Sequence, residues 1–234
     1  MKHIALLLSL FILQPIAYSL NASHEIRPLD WSKLDGNAGD DELAAICSTV
    51  MEHTQDDMGK EWLERVRTAK RVGELIDFGI IPPETKRKRR AMEDCIRPMT
   101  TTSRTLALAM RTGTYRADKA GAKESEIKKL FPLVIRSLAM DHIANGGIGK
   151  HNWGDSWQSA MWAGQLAHAA WINWDLLSAE DQTLVLNVLI HETDRYLNVP
   201  PPTSDKKSTV DTKGEENKWN AGCFLTAATM LKGH

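Results

Sequence analysis

Apolar residues recur along this chain every three or four positions, in stretches broken by polar, glycine-rich or proline-rich runs. Helices are predicted over Asp40 to Thr54, Lys60 to Phe78, Thr85 to Arg111 and Glu124 to Ala144. Further helices are predicted over Asp155 to Leu177, Ala179 to Leu197 and Gly214 to Leu231. Asp40 and Asp41 are cap candidates for the first, and Ser178 for the sixth. Gly79 and Pro82-Pro83 stop the second, Pro98 is expected to kink or divide the third, and Asn145-Gly146-Gly147 closes the fourth. Residues 198–212 form a polar, proline-rich loop. No strand alternation and no phosphate-binding glycine loop is read. The fold class is all-α: antiparallel helical hairpins, arranged as a bundle or as an incomplete α/α-toroid.

The start of the chain changes the picture. Ile4 to Ile12 is almost wholly apolar, follows Lys2 and His3, and ends before Ala17-Tyr18-Ser19. Residues 1–19 therefore read as a secretory signal peptide, residues 20–39 as an extended segment and residues 40–234 as the helical domain. The apolar run is too short to span a bilayer, so a secreted protein with no membrane partner is expected. The chain ends directly after an apolar helix, about where another hairpin is expected, which points to a truncated member of its class. Cys47, Cys95 and Cys223 are far apart and lack metal-ligand spacing, so their pairing is left open. The formal net charge of −1 gives no electrostatic case for nucleic acid. The basic run Lys86-Arg87-Lys88-Arg89-Arg90 reads as a solvated helix start, with a polyanion contact as the alternative.

Tryptophan carries the chemical signal. Five of the eight lie between Trp153 and Trp174. Indole rings offer flat apolar platforms with one donor, suited to stacking on sugars. Asn152-Trp153-Gly154-Asp155-Ser156-Trp157 opens the helix rich in small residues, which on that ground is expected to be an inner helix. Trp153 and Trp157, four apart, share a face if this stretch is helical. The last helix opens similarly with Lys213-Gly214-Glu215-Glu216-Asn217-Lys218-Trp219-Asn220. Glu215 and Glu216 complement a helix amino end, whereas Asn217 and Asn220 fall inside the helix, where capping does not explain them. Substrate-binding candidates are Asn152, Trp153, Asp155, Trp157, Glu215, Glu216, Trp219 and Asn220. His151, beside the aromatic motif, is the candidate base, because imidazole titrates near neutrality. Asp155 with Glu215 or Glu216 is the pair a glycoside hydrolase reading requires. His191-Glu192 matches half of a zinc-protease motif, but Arg195 occupies the position of the second histidine, so neither a metal nor a cofactor is read.

On these residues the chain resembles the polysaccharide lyases built on an α/α-toroid, such as the hyaluronate and chondroitin lyases. Asn152-Trp153 is similar to the Asn-Trp-Trp motif that opens one inner helix there, with Gly154 in place of the second tryptophan. Lys213-Gly214-Glu215-Glu216-Asn217 is similar to the Thr-Gly-Ala-Asn-Arg motif that opens the next, with one extra residue. The resemblance covers about residues 149–231. It implies an acidic polysaccharide as partner, Trp153 stacking on the sugar, and Asn217 holding the uronate carboxylate during β-elimination. The family's proton-abstracting His and Tyr come later in its chain than the point where this sequence stops. A non-catalytic carbohydrate-binding module is the reading from another class.

Overall fold

The computed structural model describes residues 25–31, 49–72, 75–77, 88–147, 153–156, 158–195 and 213–232. The proposed signal peptide, Cys47, the 198–212 loop, His151, Asn152 and Trp157 lie outside these residues. A π-helical turn, Gln55–Gly59, leads into α1, Lys60–Thr68. A small hairpin follows, β1 (Lys70–Val72) pairing antiparallel with β2 (Leu75–Asp77). The remaining helices are α2 (Lys88–Thr112), α3 (Ala117–Ala120), α4 (Glu124–Met140), α5 (Ser159–Ile172), α6 (Ala179–Asp194) and α7 (Lys213–Met230).

The described structure is mostly helical, as the apolar spacing predicts. Three expectations need correction. The helix expected over Lys60 to Phe78 ends at Thr68 and gives way to the hairpin, whose Ile76 amide donates to Ser137 Oγ at 2.9 Å. Pro98 lies inside α2 without dividing it. The helix expected from Asp155 begins only at Ser159.

Hydrogen bonds between helices fix their directions. Asn173, at the end of α5, donates to Ala107 O at 3.1 Å, and Thr101 near the middle of α2 donates to Gln165 Oε1 at 3.0 Å. Position rises together on both, so α2 and α5 run parallel. Gly164 of α5 packs on Cys223 of α7, and His168 meets Thr226 at 3.3 Å, so α5 and α7 are also parallel. In the other direction, Arg136 of α4 bonds Asp181 near the start of α6, while His142 just past α4 bonds Glu192 near its end. The pair α4 and α6 is thus parallel within itself. Arg195, just past α6, reaches Ser159 at the start of α5, so α6 runs opposite to α5. The result is one layer of α2, α5 and α7 and a second of α4 and α6, with opposed directions.

α5 is the inner helix of this arrangement. Ala160, Trp162, Ala163, Gly164, Leu166, Ala167, Ala169 and Ala170 are all buried, leaving Met161, Gln165, His168 and Ile172 as a partly open stripe. Small side chains let neighbours approach closely. A Cβ on Gly164 would sit 3.6 Å from the Cys223 backbone, ordinary contact with no room to spare. Burial of apolar side chains from all seven helices, α1 to α7, supplies the main stabilisation. The Cys223 thiol is part of this core, and burial pushes its pKa up to about 12.

Candidate functional site

The opposed layers bring the amino ends of α5 and α7 and the carboxyl ends of α4 and α6 to one end of the molecule. There the segment before α5 crosses over the end of α4. Trp153 forms a bridge with His142, receiving and returning backbone bonds through Asp141 and Ile143. Its indole is fully buried and donates to Leu138 O at 2.9 Å. No face of this ring is open to a sugar, so the expected stacking role of Trp153 is corrected: it is a core residue that anchors the crossing.

Directly after it the backbone turns through Gly154 (φ 127°) and Asp155 (φ 50°). A Cβ at Gly154 would come within 2.6 Å of Ile143 Cγ1 and 2.8 Å of His142 Nε2. Only glycine fits at this position. The left-handed turn also keeps this stretch out of the helix, so Trp153 stands before α5 and not on one of its faces.

The turn delivers Asp155 to α6. Its Oδ1 lies 2.9 Å from His191 Nε2 and 3.0 Å from Arg195 Nη1, and its backbone amide donates to Glu192 Oε1 at 3.0 Å. Exposure falls steadily across the cluster: the side chains of Asp155, His191, Arg195 and Glu192 are 52, 34, 16 and 0 % exposed. One edge therefore faces solvent and the other is core.

Protonation follows from the bonds. His142 Nδ1 accepts the amide of Ala144 at 3.1 Å, so its proton sits on Nε2, which donates to Glu192 Oε1 at 3.1 Å. Burial lowers the His142 pKa, in keeping with this neutral tautomer. Burial also pushes Glu192 upward, but the His142 hydrogen bond and the Arg195 charge outweigh it and hold the carboxylate ionised. The bond from His191, then that from Arg195, pull Asp155 down to about 2, and Asp155 in turn raises His191. With Nε2 facing Asp155, His191 makes no hydrogen bond through Nδ1 among the described residues.

Asp155, His191 and Glu192 offer ligand atoms within 4.8 Å of one another. The Arg195 guanidinium already lies 3.0 Å from Asp155 and 3.2 Å from Glu192, where a cation would need to sit. The cluster is an ion-pair network centred on that arginine. A carboxylate-oriented imidazole of this kind is chemically suited to proton transfer.

Among the described residues, the buried side-chain atoms without a hydrogen bond are Ser156 Oγ, Gln158 Oε1, Trp162 Nε1, Glu192 Oε2 and Asn220 Oδ1. All belong to the first turns of α5 and α7, the segment leading into α5, or the last turn of α6. Asn217 is exposed, Trp219 half-buried and Asn220 buried on α7, whose first turns also carry Glu215 and Glu216. Asn220 sits one turn nearer this end than Cys223, which approaches Thr193 of α6. Of the residues named from the sequence, Asp155 joins this cluster; His142, His191, Glu192 and Arg195 were not named there as a unit. No protein family, curated protein or solved structure matches the chain.

Proposed function

We propose that this chain is a carbohydrate-active helical protein of the α/α-toroid type. It binds an acidic polysaccharide across the end where α5 and α7 begin and α6 finishes, and it cleaves that chain by β-elimination. The observation that carries the reading is the Asp155–His191 pair, a partly exposed imidazole oriented by a carboxylate, with no hydrogen bond at Nδ1 among the described residues. The parallel α2, α5 and α7 against the opposed α4 and α6 support the toroid, whose inner helices all point one way.

In the proposed reaction, His191 Nδ1 takes the proton at C5 of a uronate. The electrons form the C4–C5 double bond, the C4–O bond breaks, and the imidazolium gives its proton, directly or through water, to the leaving oxygen, which restores neutral His191. Asp155 holds the Nε2–H tautomer and stabilises the imidazolium that forms. Asn217 and the amino ends of α5 and α7 face the charge developing on the carboxylate. Stacking passes from Trp153 to Trp219, and the base assignment passes from His151, outside the described residues, to His191. Secretion, with residues 1–19 as signal, belongs to the same proposal. Among the described residues no helix is long and apolar enough to cross a membrane.

The test is ultraviolet absorbance of the unsaturated product with a panel of uronate polymers. A signal lost in both His191→Ala and Asn217→Ala, with circular dichroism unchanged, supports the reading. A signal undiminished in His191→Ala refutes His191 as the base. Binding without cleavage is the second reading, favoured by the Arg195 bond to Asp155, which draws charge away from the imidazole. Its signature is tryptophan quenching by one polymer with no product. A hydrolase using Asp155 as general acid is disfavoured, because a carboxyl held at about 2 has no proton to give at neutral pH.

A further inference from the structure

Arg97, Thr101 and Arg104 follow one another on α2 at intervals of four and three, one stripe of a helix. α5 sets Met161, Gln165 and His168 at the same intervals opposite. Thr101 donates to Gln165 Oε1 at 3.0 Å and Thr100 lies 2.9 Å from the same oxygen, which holds the stripes in register. Between them and α1 is a cavity of about 750 Å³, lined by Met58, Glu61, Arg65, Arg97, Thr101 and Gln165 among others. Arg104 continues the stripe beside His168, whose imidazolium form it disfavours after the larger effect of burial.

Two cations of the α2 stripe, Arg97 and Arg104, have no acceptor among the described residues. Glu61 is engaged by Arg65 at 2.6 Å. Among the described residues no carboxylate pairs with Arg97, which is exposed, or with Arg104, which is half-buried. Gln165 Oε1 is taken by the threonines, so its Nε2 is left to donate. A half-buried guanidinium without a counter-ion is costly, and with Glu61 already neutralised by Arg65 the unpaired arginines of this stripe draw negative charge. A group that only accepts, a carboxylate or sulfate, matches this set. The arginines are seven residues apart, about 10 Å of helix rise, which suits two charged groups along one chain better than a single small anion.

We propose that Arg97 and Arg104, with Gln165, form an anion subsite that receives carboxylate or sulfate groups of an acidic sugar chain. The choice of a sugar chain rests on the function proposed above; the anion subsite itself does not.

The experiment is titration calorimetry of the full chain with oligogalacturonate, a chondroitin sulfate oligosaccharide and a neutral malto-oligosaccharide of matched length. The wild type is expected to bind an anionic oligosaccharide and not the neutral one. Arg97→Gln and Arg104→Gln each lower that affinity about tenfold, and lysine at either position restores part of it. Salt at about 0.5 M weakens the wild type more than the double variant. Weakening confined to the sulfated or to the carboxylated probe supports the subsite and identifies the group. Equal binding by the double variant, equal binding of the neutral sugar, or no binding by the wild type overturns it. Product formation is measured in parallel. Arginine-dependent binding without product refutes the lyase reading alone, whereas product formed equally by the double variant, with unchanged affinity, refutes the subsite alone.

Discussion

Glu192 accepts the backbone amide of Asp155 at 3.0 Å, so a buried carboxylate on α6 fixes the position of an exposed one that precedes α5. The same Oε1 accepts the hydrogen bond from His142 Nε2–H, and Arg195 stands against Oε2. Removing Glu192 strands a buried imidazole N–H, an amide and a guanidinium together. Glu192→Ala is expected to lower unfolding free energy by about 3–5 kcal/mol, and Glu192→Gln by less, since the amide retains one acceptor. Urea denaturation measures both; an alanine variant within about 1 kcal/mol of wild type contradicts the network described.

Stability is expected to fall in two stages on acidification. His142 has a folded pKa below its ordinary 6.5, so its contribution is full above 6.5 and declines as pH falls through the lower folded value. Asp155, ordinarily 3.8 and about 2 when folded, contributes fully above 3.8 and loses that contribution between 3.8 and 2. His191 acts the other way: its raised folded pKa favours the native state below 6.5, and that part is lost as pH rises through the folded value. Chemical denaturation across pH should show the lower stage disappearing in Asp155→Asn. An unchanged acid limb in that variant counts against the pairing.

Asp155 also sets when His191 is a base. Asp155→Asn removes the charge that favours the imidazolium, so the His191 pKa moves down. Nuclear magnetic resonance titration of the imidazole reads this directly. If the protein eliminates, the acid limb of its pH–rate profile shifts to lower pH by the same amount. A limb that stays in place while the imidazole resonance moves assigns catalysis to another group.

Gly154 tolerates no side chain. Gly154→Ala combines positive φ with contacts under 3 Å to Ile143 and His142, and is expected to cost about 2–4 kcal/mol. Thermal unfolding checks it against Gly146→Ala, where φ is also positive but nothing lies within 4 Å. Equal losses at the two positions would leave backbone strain alone as the cause and remove the steric argument.

The helices legible in the sequence were those whose apolar period ended at a recognisable cap or turn. Ser178 accepts the Asp181 amide at 3.1 Å as its position predicts, and Gly146 closes the region after α4 with φ 87°. The hairpin was missed because Val72, Leu75 and Ile76 satisfy a helical period as well as two three-residue strands, and only Gly73 between them marks the break. Tryptophan spacing misled in a similar way: Gly154 and Asp155 leave the helical region, so Trp153 precedes the helix it was expected to open. One clue to the site was present. Val185, Val188, Leu189 and Glu192 form a single helical stripe, and a carboxylate at its end is either misplaced or partnered. Its partners come from fifty and thirty-seven residues earlier, a relationship only the packed fold supplies.

The first described segment meets the last. Arg27 donates to Ala228 O across 201 residues and Ile26 bridges Leu231, while the Trp171 indole donates to Arg27 O. During synthesis at about 5–20 residues per second, this strand-like piece waits roughly 10–40 s for the helix it pairs with. Until α7 emerges, Ile26 and its neighbouring amides have no such partner, and the protein is expected to be most vulnerable to proteases and to self-association in that interval.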